Sequence, residues 1–316
     1  MIALKKADSG MNVQGFNKQF FCEIWKGRVE WDHPLASYAT LNVGGPAKAV
    51  VFPEDIEALA GLIRALGENG INWRVIGRGS NILVPDRGYD GVVIILGQEL
   101  SAITMLADND RRLVRAEAGA SLAKLLTWTS EKELSGLEFV AGIPGTVGGA
   151  IVMNAGAHGK EVSDVLATVT IIEASGAVKE LRRKDVVFQY RGWGRKDEIV
   201  VAGTFALVKG QRRHIDEECR RFQRQRRESQ PQGVASAGSF FKNPPTQAAG
   251  YLIEKAGLKG VSFGGAQVSE KHANFIINSG KATTRDIIKL MRHVQEKVLA
   301  MSGVRLEPEV DIWDDQ

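Results

Sequence analysis

Short apolar blocks separated by polar and glycine-rich punctuation run along the chain from Leu41, in a β/α rhythm. Val50 to Phe52 reads as a strand. Pro53 to Leu66 reads as a helix with acidic residues in its first turn and Gly67 or Gly70 at its end. Trp73 to Ile76 is a second short strand, and apolar strings recur at Ile82–Val84, Val92–Leu96 and Leu113–Ala118. Ser121 stands where an N-cap belongs, for a helix to about Leu134 closed by Gly136. After the glycine-dense stretch Gly142 to Gly159 the period changes to alternation. Val165–Glu173 and Val178–Leu181, joined through Ser175-Gly176, predict a hairpin, and Ile199–Val208 a further strand. Residues 211–228 read as a strongly basic helix stopped by Pro231. A smaller α+β segment follows, with a helix from Thr246 to about Ala256, a strand at Asn274–Ile277, a helix from Thr283 to Met301 and a final strand from Val304 to Trp313. Residues 1–30 form a polar leader ending in a short helix.

Composition narrows the class. The 316 residues are 44% hydrophobic and 25% charged, enough for a sizeable core in two or three domains at roughly 100–200 residues each. The net charge of +4 favours anionic ligands only weakly. Cys22 and Cys219 form no CxxC and no disulfide framework, and the five histidines show no HExxH or paired spacing, so no metal site is expected. No apolar run approaches the ~20 residues of a membrane helix, and no apolar segment follows Lys5 and Lys6 as a signal peptide would require. A soluble cytoplasmic monomer without membrane partner is the expectation.

Thirty-five glycines are the first sign of chemistry. They concentrate in Gly77-Arg78-Gly79-Ser80-Asn81 and in Ala141-Gly142-Ile143-Pro144-Gly145-Thr146-Val147-Gly148-Gly149, which leads on to Met153-Asn154-Ala155-Gly156-Ala157. Backbone N–H groups in such loops can turn toward an anion, and a β-carbon would obstruct them. The first loop is not a dinucleotide fingerprint: Ile82 occupies the last glycine position and an apolar strand follows where a helix should open. The second has no Gly-Lys-[Ser/Thr] and is no P-loop. Each loop alone also fits a tight turn; together they point to a pyrophosphate cofactor on a scaffold of another kind.

Several residues could work on protons or charge. Ser239 is no hydrolase nucleophile, since Ala237 and Phe241 stand where an elbow needs glycine. Beside Lys242 and Asn243 its hydroxyl can donate a proton to a carbanion, or simply close a turn. Arg191, after Gln189-Tyr190, can clamp a carboxylate or serve a structural ion pair. Glu307, Glu309 and Asp311 share one face if their segment is a strand, with Pro308 confining it to an edge. Arg220 to Arg227 holds five arginines in eight residues. That stripe is a solvated helix face, a phosphate binder or a nucleic-acid reader; the acidic flanks Glu217, Glu218 and Glu228 count against the last.

Taken in order, Gly77–Asn81, Gly142–Ala150, Met153–Ala157, Tyr190-Arg191, Ala237-Gly238-Ser239-Phe240-Phe241-Lys242-Asn243-Pro244 and Glu307-Pro308-Glu309-Val310 resemble the signature of the UDP-N-acetylenolpyruvoylglucosamine reductase (UDP-N-acetylmuramate dehydrogenase) family, in its shorter form, from about residue 31 to 312. The resemblance implies an α+β fold: an FAD-binding domain of the vanillyl-alcohol-oxidase/PCMH type over 31–210 in two subdomains (about 31–97 and 98–210), the basic helix and hinge at 211–232, and a substrate domain over 233–316. It implies bound FAD, NADPH as cosubstrate and UDP-N-acetylglucosamine enolpyruvate as substrate, in peptidoglycan precursor synthesis and without nucleic acid. Hydride would pass to C3 of the enolpyruvyl ether and a proton to C2. Ser239 matches the proton donor, and Arg191 and Glu309 match the residues that stabilise the enolate-like intermediate. Val43, Gly44, Gly77, Arg78, Gly79, Ser80 and Asn81 match FAD contacts, as do Ile143, Pro144, Gly145, Thr146, Gly148 and Gly149, and Asn154, Ala155 and Gly156. Tyr190, Gln230 and Asn243 match substrate contacts. The family pattern carries a serine two residues after the Tyr-Arg pair, where this chain has Trp193. A related FAD oxidoreductase acting on another substrate is the alternative.

Overall fold

The computed structural model describes residues 17–106, 112–195 and 197–313; residues 1–16 of the expected leader lie outside them. The chain divides into two compact units. The first comprises residues up to Asp32, Lys48–Arg78 and Asp90–Gln223. The second comprises His33–Ala47, Gly79–Tyr89 and the residues from Arg224 onward.

A β-α-β crossover founds the first unit. The strands Pro46–Val51 and Trp73–Ile76 flank the helix Ile56–Glu68 and lie in a sheet ordered Val29–Pro34, Pro46–Val51, Tyr89–Ile95, Trp73–Ile76. Asp55 starts the helix by accepting the Ala58 N–H at 2.7 Å. Leu59, Leu62, Ile63 and Leu66 then recur at helical spacing and bury against Ala49, Val51, Val92 and Ile94. Burying side chains of this size stabilises by about 1.5–3 kcal/mol each. The expected short helix is Lys18–Ile24, and its Phe21 is fully buried in the same cluster.

A second, larger sheet of the unit is antiparallel, in the order Val178–Arg182, Leu166–Ile172, Ile199–Lys209, Arg112–Glu117, Ile103–Leu106. The short helix Val147–Val152 packs on the long central strand, where Gly203 leaves room for Ile151. A β-carbon at Gly203 would lie 2.5 Å from Ile151 Cδ1.

In the second unit the helices Ala249–Lys255 and Thr284–Ser302 cover a sheet ordered Ala235–Ser236, Ile276–Asn278, Ala266–Val268, Ser262–Phe263. Phe240, Phe241, Leu252, Ile276, Leu290 and Val294 form its core. Thr283 and Asp286 close a capping box at the start of the long helix, and Gly303, at φ 70°, ends it in the left-handed conformation that glycine tolerates.

Three expectations are corrected. Val304–Trp313 is not a continuous strand: only Asp311–Ile312 pairs, in parallel with Ile82–Leu83, and Pro308 makes a single bridge to Phe241. Proline has no N–H to extend a ladder. The helix expected from Thr246 begins at Ala249, after an extended Ala248. Within the glycine-dense stretch, Val147–Val152 is helical despite Gly148 and Gly149, because Thr146 caps it and Val147, Ala150 and Ile151 are buried.

Two side chains of the second unit should have measurable effects on stability. Asp86 accepts the Thr284 and Arg285 N–H groups, at 2.7 and 3.0 Å, at the start of the long helix. Asp86→Ala should cost about 1–2 kcal/mol in thermal unfolding; an unchanged melt would refute that role. His272 is half-buried, and its Nδ1 accepts the Asn274 N–H at 3.2 Å. Burial holds its pKa below 6.5. The hydrogen bond with its own backbone opposes this, Lys259 adds to the depression and Glu254 opposes it. The unfolded state therefore binds a proton that the folded one resists, so stability is full above about pH 6.5 and falls as pH drops below it. Melts between about pH 5 and 8 should show a shallower acid loss in His272→Asn than in the unaltered protein; parallel profiles would contradict this.

Candidate active site

In the first unit Gly77, at the end of Trp73–Ile76, lies directly against Thr146. A β-carbon there would stand 2.3 Å from Thr146 Oγ1, so glycine is what lets the two glycine-bearing segments meet. The same Oγ1 accepts the Gly149 N–H at 3.4 Å. Backbone bonds fix the approach to this helix: Leu122 N–H to Gly145 C=O (3.1 Å), Val147 N–H to Ala120 C=O (2.8 Å) and Gly148 N–H to Ala118 C=O (2.9 Å). Gly145 has φ 157°. Ile143 is half-buried with its N–H on Val140 C=O, whereas Pro144 and Gly149 are exposed. Around a β-carbon at Gly149 the nearest atom would be Thr146 Oγ1 at 3.7 Å, leaving that backbone open.

The segment that follows leads to Arg191. Asn154, at φ 41° and 1% exposed, commits its carboxamide within the protein. Its Nδ2 donates to Glu161 Oε2 (2.7 Å) and to Gln189 C=O (3.3 Å), and its Oδ1 accepts the Ser163 N–H (3.1 Å). Gln189 and Gly192 close a tight turn by exchanging backbone bonds at 2.8 and 3.2 Å, with Arg191 at φ 58° inside it. That conformation strains a residue with a β-carbon, so something holds it there. The Arg191 guanidinium donates to Gly156 C=O at 3.4 Å and lies 5.0 Å from the centroid of the exposed Tyr190 ring. Trp193 is 4% exposed in the unit's core and anchors the far side of the turn. Ala155, half-buried, gives its N–H to Ala150 C=O.

The first glycine loop divides between the units, with Gly77 and the exposed Arg78 in the first and Gly79, Ser80 and Asn81 in the second. Gly79 has φ 64°, and a β-carbon would meet Tyr38 C=O at 1.7 Å. Its own carbonyl accepts the Thr40 N–H at 3.0 Å, and Thr40 Oγ1 donates to Ser236 C=O at 2.6 Å. Val43 is buried in this unit's core, and Gly44 presses its backbone on Val84.

Ser239 and Glu309, far apart in sequence, stand on adjoining segments of the second unit. Glu309 donates its N–H to Phe240 C=O at 2.9 Å, and Lys242 N–H bonds Glu307 C=O at 2.9 Å. Asn81 holds the same segment from its other flank. Its Nδ2 donates to Glu309 C=O at 3.1 Å, and its C=O accepts the Asp311 N–H at 2.9 Å. Ser239 and Glu309 are both half-buried, whereas the Glu307 side chain is 74% exposed and 3.8 Å from Lys242 Nζ. The two glutamates therefore differ in exposure.

Asn243 is exposed, and its Oδ1 accepts the Ala249 N–H at 3.0 Å at the head of a helix. Gln230 follows the basic helix Arg212–Ser229 and continues its bonding to Arg226 C=O. Arg213 pairs with Glu217 at 2.9 Å and Arg221 with Glu218 at 2.8 Å, so part of the arginine charge is compensated on the helix itself. Cys219 is no nucleophile: burial, with Glu138, Asp216 and Glu218 adding, pushes its thiol up to about 12. Among the described residues no group of three His, Cys, Asp or Glu side chains could hold a metal, and no helix is long and apolar enough to cross a membrane. Sequence reasoning missed Asn274, which is buried and bonded to Phe241. The available signal was a polar residue in the apolar run Ala273 to Ile277.

Comparison with known proteins agrees with this arrangement. Residues 47–182 match the model of an FAD binding domain, and residues 230–313 match that of the UDP-N-acetylenolpyruvoylglucosamine reductase C-terminal domain. The reductase of Halalkalibacterium halodurans is 41% identical over 288 residues, covering 90% of this chain and 94% of that protein. That of Anoxybacillus flavithermus is 42% identical over 289 residues, covering 90% and 94%. The crystal structure of the Thermus caldophilus enzyme superposes with a TM-score of 0.79 at 36% identity, over 91% of this chain and 99% of that one. The expected α+β fold, an FAD-binding domain joined to a smaller C-terminal domain, is the one found. The chain belongs to the UDP-N-acetylenolpyruvoylglucosamine reductase family and is an FAD-dependent oxidoreductase.

Proposed function

We propose that the protein reduces UDP-N-acetylglucosamine enolpyruvate to UDP-N-acetylmuramate at the expense of NADPH, in the cytoplasm, as a step of peptidoglycan precursor synthesis. The observation that carries this reading is the Glu309–Phe240 backbone bond, which sets the segment bearing Ser239 beside the segment bearing the matching carboxylate. Family membership supplies the substrate class.

The residues present fit FAD. Gly77 and Gly148 let their segments pack directly on Thr146 and Ala118, and the open backbone of Gly149 with the neutral hydroxyl of Thr146 offers uncharged polarity to a pyrophosphate. In this reading Gly77, Thr146, Gly148 and Gly149 hold it, with Ile143, Pro144 and Gly145 forming the adjoining turn. Asn154 supports the cofactor segment from within, through bonds to its own surroundings. When bound, FAD supplies hydride chemistry, replenished by NADPH and delivered to the enolpyruvyl methylene.

The protein's own residues manage charge and the proton. Adding hydride at C3 drives negative charge into the substrate carboxylate, which a fixed guanidinium stabilises most in the transition state. Arg191 suits that task because its turn is already held in an unfavourable conformation, so little reorganisation remains. Ser239 is a weak acid, but a carbanionic C2 is basic enough to take the proton from a placed hydroxyl. Glu309 shares in stabilising the enolate-like intermediate. Tyr190, Gln230 and Asn243 contact the substrate in this reading.

Ser239→Ala should leave flavin reduction by NADPH intact and slow reoxidation by the enolpyruvyl substrate about 10²–10⁴-fold in stopped-flow absorbance. Equal loss in both half-reactions would remove Ser239 from the proton step. Arg191→Lys keeps the charge but not the planar fork, and should slow the same half-reaction by about 10²–10³; a full-rate variant would show that the clamp lies elsewhere.

A further inference from the structure

The segment Phe240–Lys242 runs through the core of the second unit with no regular strand on either flank, and its side chains Phe240 and Phe241 are 0% and 1% exposed. Backbone polar groups in such a place must find partners. They find them on alternate sides. On one side stand Glu309 N–H and Glu307 C=O, bonded to Phe240 C=O and Lys242 N–H. On the other stands Asn274, itself 3% exposed. Its Oδ1 accepts the Phe241 N–H at 3.0 Å, its Nδ2 donates to Phe241 C=O at 2.8 Å, and its backbone carbonyl accepts the Phe240 N–H at 2.7 Å. One residue does what a paired strand would do, with a carboxamide in place of a peptide group.

We infer that Asn274 is a positioning residue for the proton-transfer step: by holding the Phe240–Phe241 backbone it sets where Ser239 and Glu309 stand. The inference deepens the proposed reaction and rests on Ser239 as its proton donor. Only a carboxamide meets the demand at this point. It must accept from one backbone group of Phe241 and donate to the other, buried and without charge. Alanine leaves a buried N–H and a buried C=O unpartnered. Aspartate keeps the acceptor but sets a second oxygen against Phe241 C=O. Asn274 is itself held by His272, whose Nδ1 accepts its N–H. Since a misplacement of about 1 Å can cost 10²-fold in rate, a relaxed Phe241 peptide should be felt at the hydroxyl two residues away.

The test uses full-length holoprotein carrying Asn274→Ala or Asn274→Asp, with both half-reactions followed by flavin absorbance. Reduction by NADPH should stay within about threefold of the unaltered protein, while reoxidation by the enolpyruvyl substrate falls about 10²-fold. In a Ser239→Ala background the same substitution should cost clearly less than the ~10²-fold it costs alone, because the share that acts through the hydroxyl is already lost. Equal losses in the two half-reactions, or losses that simply add, would mean a merely structural residue and overturn the inference. If the alanine variant does not fold, the aspartate variant carries the kinetic test: a full-rate, flavin-loaded aspartate variant refutes it. Amide hydrogen exchange on the unaltered protein needs no substitution. The Phe240, Phe241 and Glu309 amides should be strongly protected, and an exchanging Phe241 amide would show that no clamp exists. Should Ser239→Ala alone prove harmless to reoxidation, the assignment of the proton donor fails, while the clamp is still judged by exchange.

Discussion

The site in the second unit depends on the need to satisfy buried backbone that belongs to no sheet. Phe240 and Phe241 supply the apolar burial that draws Ala237–Phe241 into the core, and that burial strips water from the peptide groups between Phe240 and Lys242. Each unpaired group would cost about 1–3 kcal/mol. The partners are recruited from distant parts of the sequence, Asn274 on one flank and Glu307–Glu309 on the other, with Asn81 behind. A polar network of this kind specifies one arrangement because every alternative leaves a group unsatisfied. The backbone that carries Ser239 and Glu309, the proposed proton donor and carboxylate, is held by bonds from residues distant in sequence.

The first unit meets a different constraint with the same economy of side chains. Thr146 serves both as helix cap and as the surface on which Gly77 rests, so two glycine-bearing segments far apart in sequence are held by one hydroxyl residue. Further on, Asn154 reaches Gln189 and thereby supports the turn in which Arg191 sits at positive φ. Trp193 secures the other end of that turn by burial, where the family pattern has a serine.

Local pattern makes part of this legible. The strand Trp73–Ile76 is set by a short β-favouring run and the helix starts at Ser121 and Thr283 by side-chain caps, and they stand where that chemistry puts them. Val147–Val152 is opaque because two glycines mask a helix whose stability comes from tertiary burial. The C-terminal segment misleads because alternating Glu307, Glu309 and Asp311 imitate a strand, although Pro308 prevents a ladder there. Nothing in local periodicity marks residues 33–47 and 79–89 as companions of the C-terminal residues; long-range bonds such as Asn81 to Glu309 create that grouping. The glycine loops and the Ser239 segment are legible by their order in the sequence, whereas Asn274 acts through the backbone of other residues and leaves no motif of its own.

In the proposed reaction this flavoprotein passes reducing equivalents from NADPH to an enolpyruvyl UDP-sugar. The most direct measurement is the visible absorption spectrum of the purified protein under anaerobic conditions, first with NADPH and then with UDP-N-acetylglucosamine enolpyruvate. The flavin band should bleach with NADPH and return stoichiometrically with the UDP-sugar. A band that bleaches and stays reduced would contradict the proposed substrate and move the protein to another reaction of the same fold, and a protein that cannot be loaded with FAD would contradict the proposed reaction altogether.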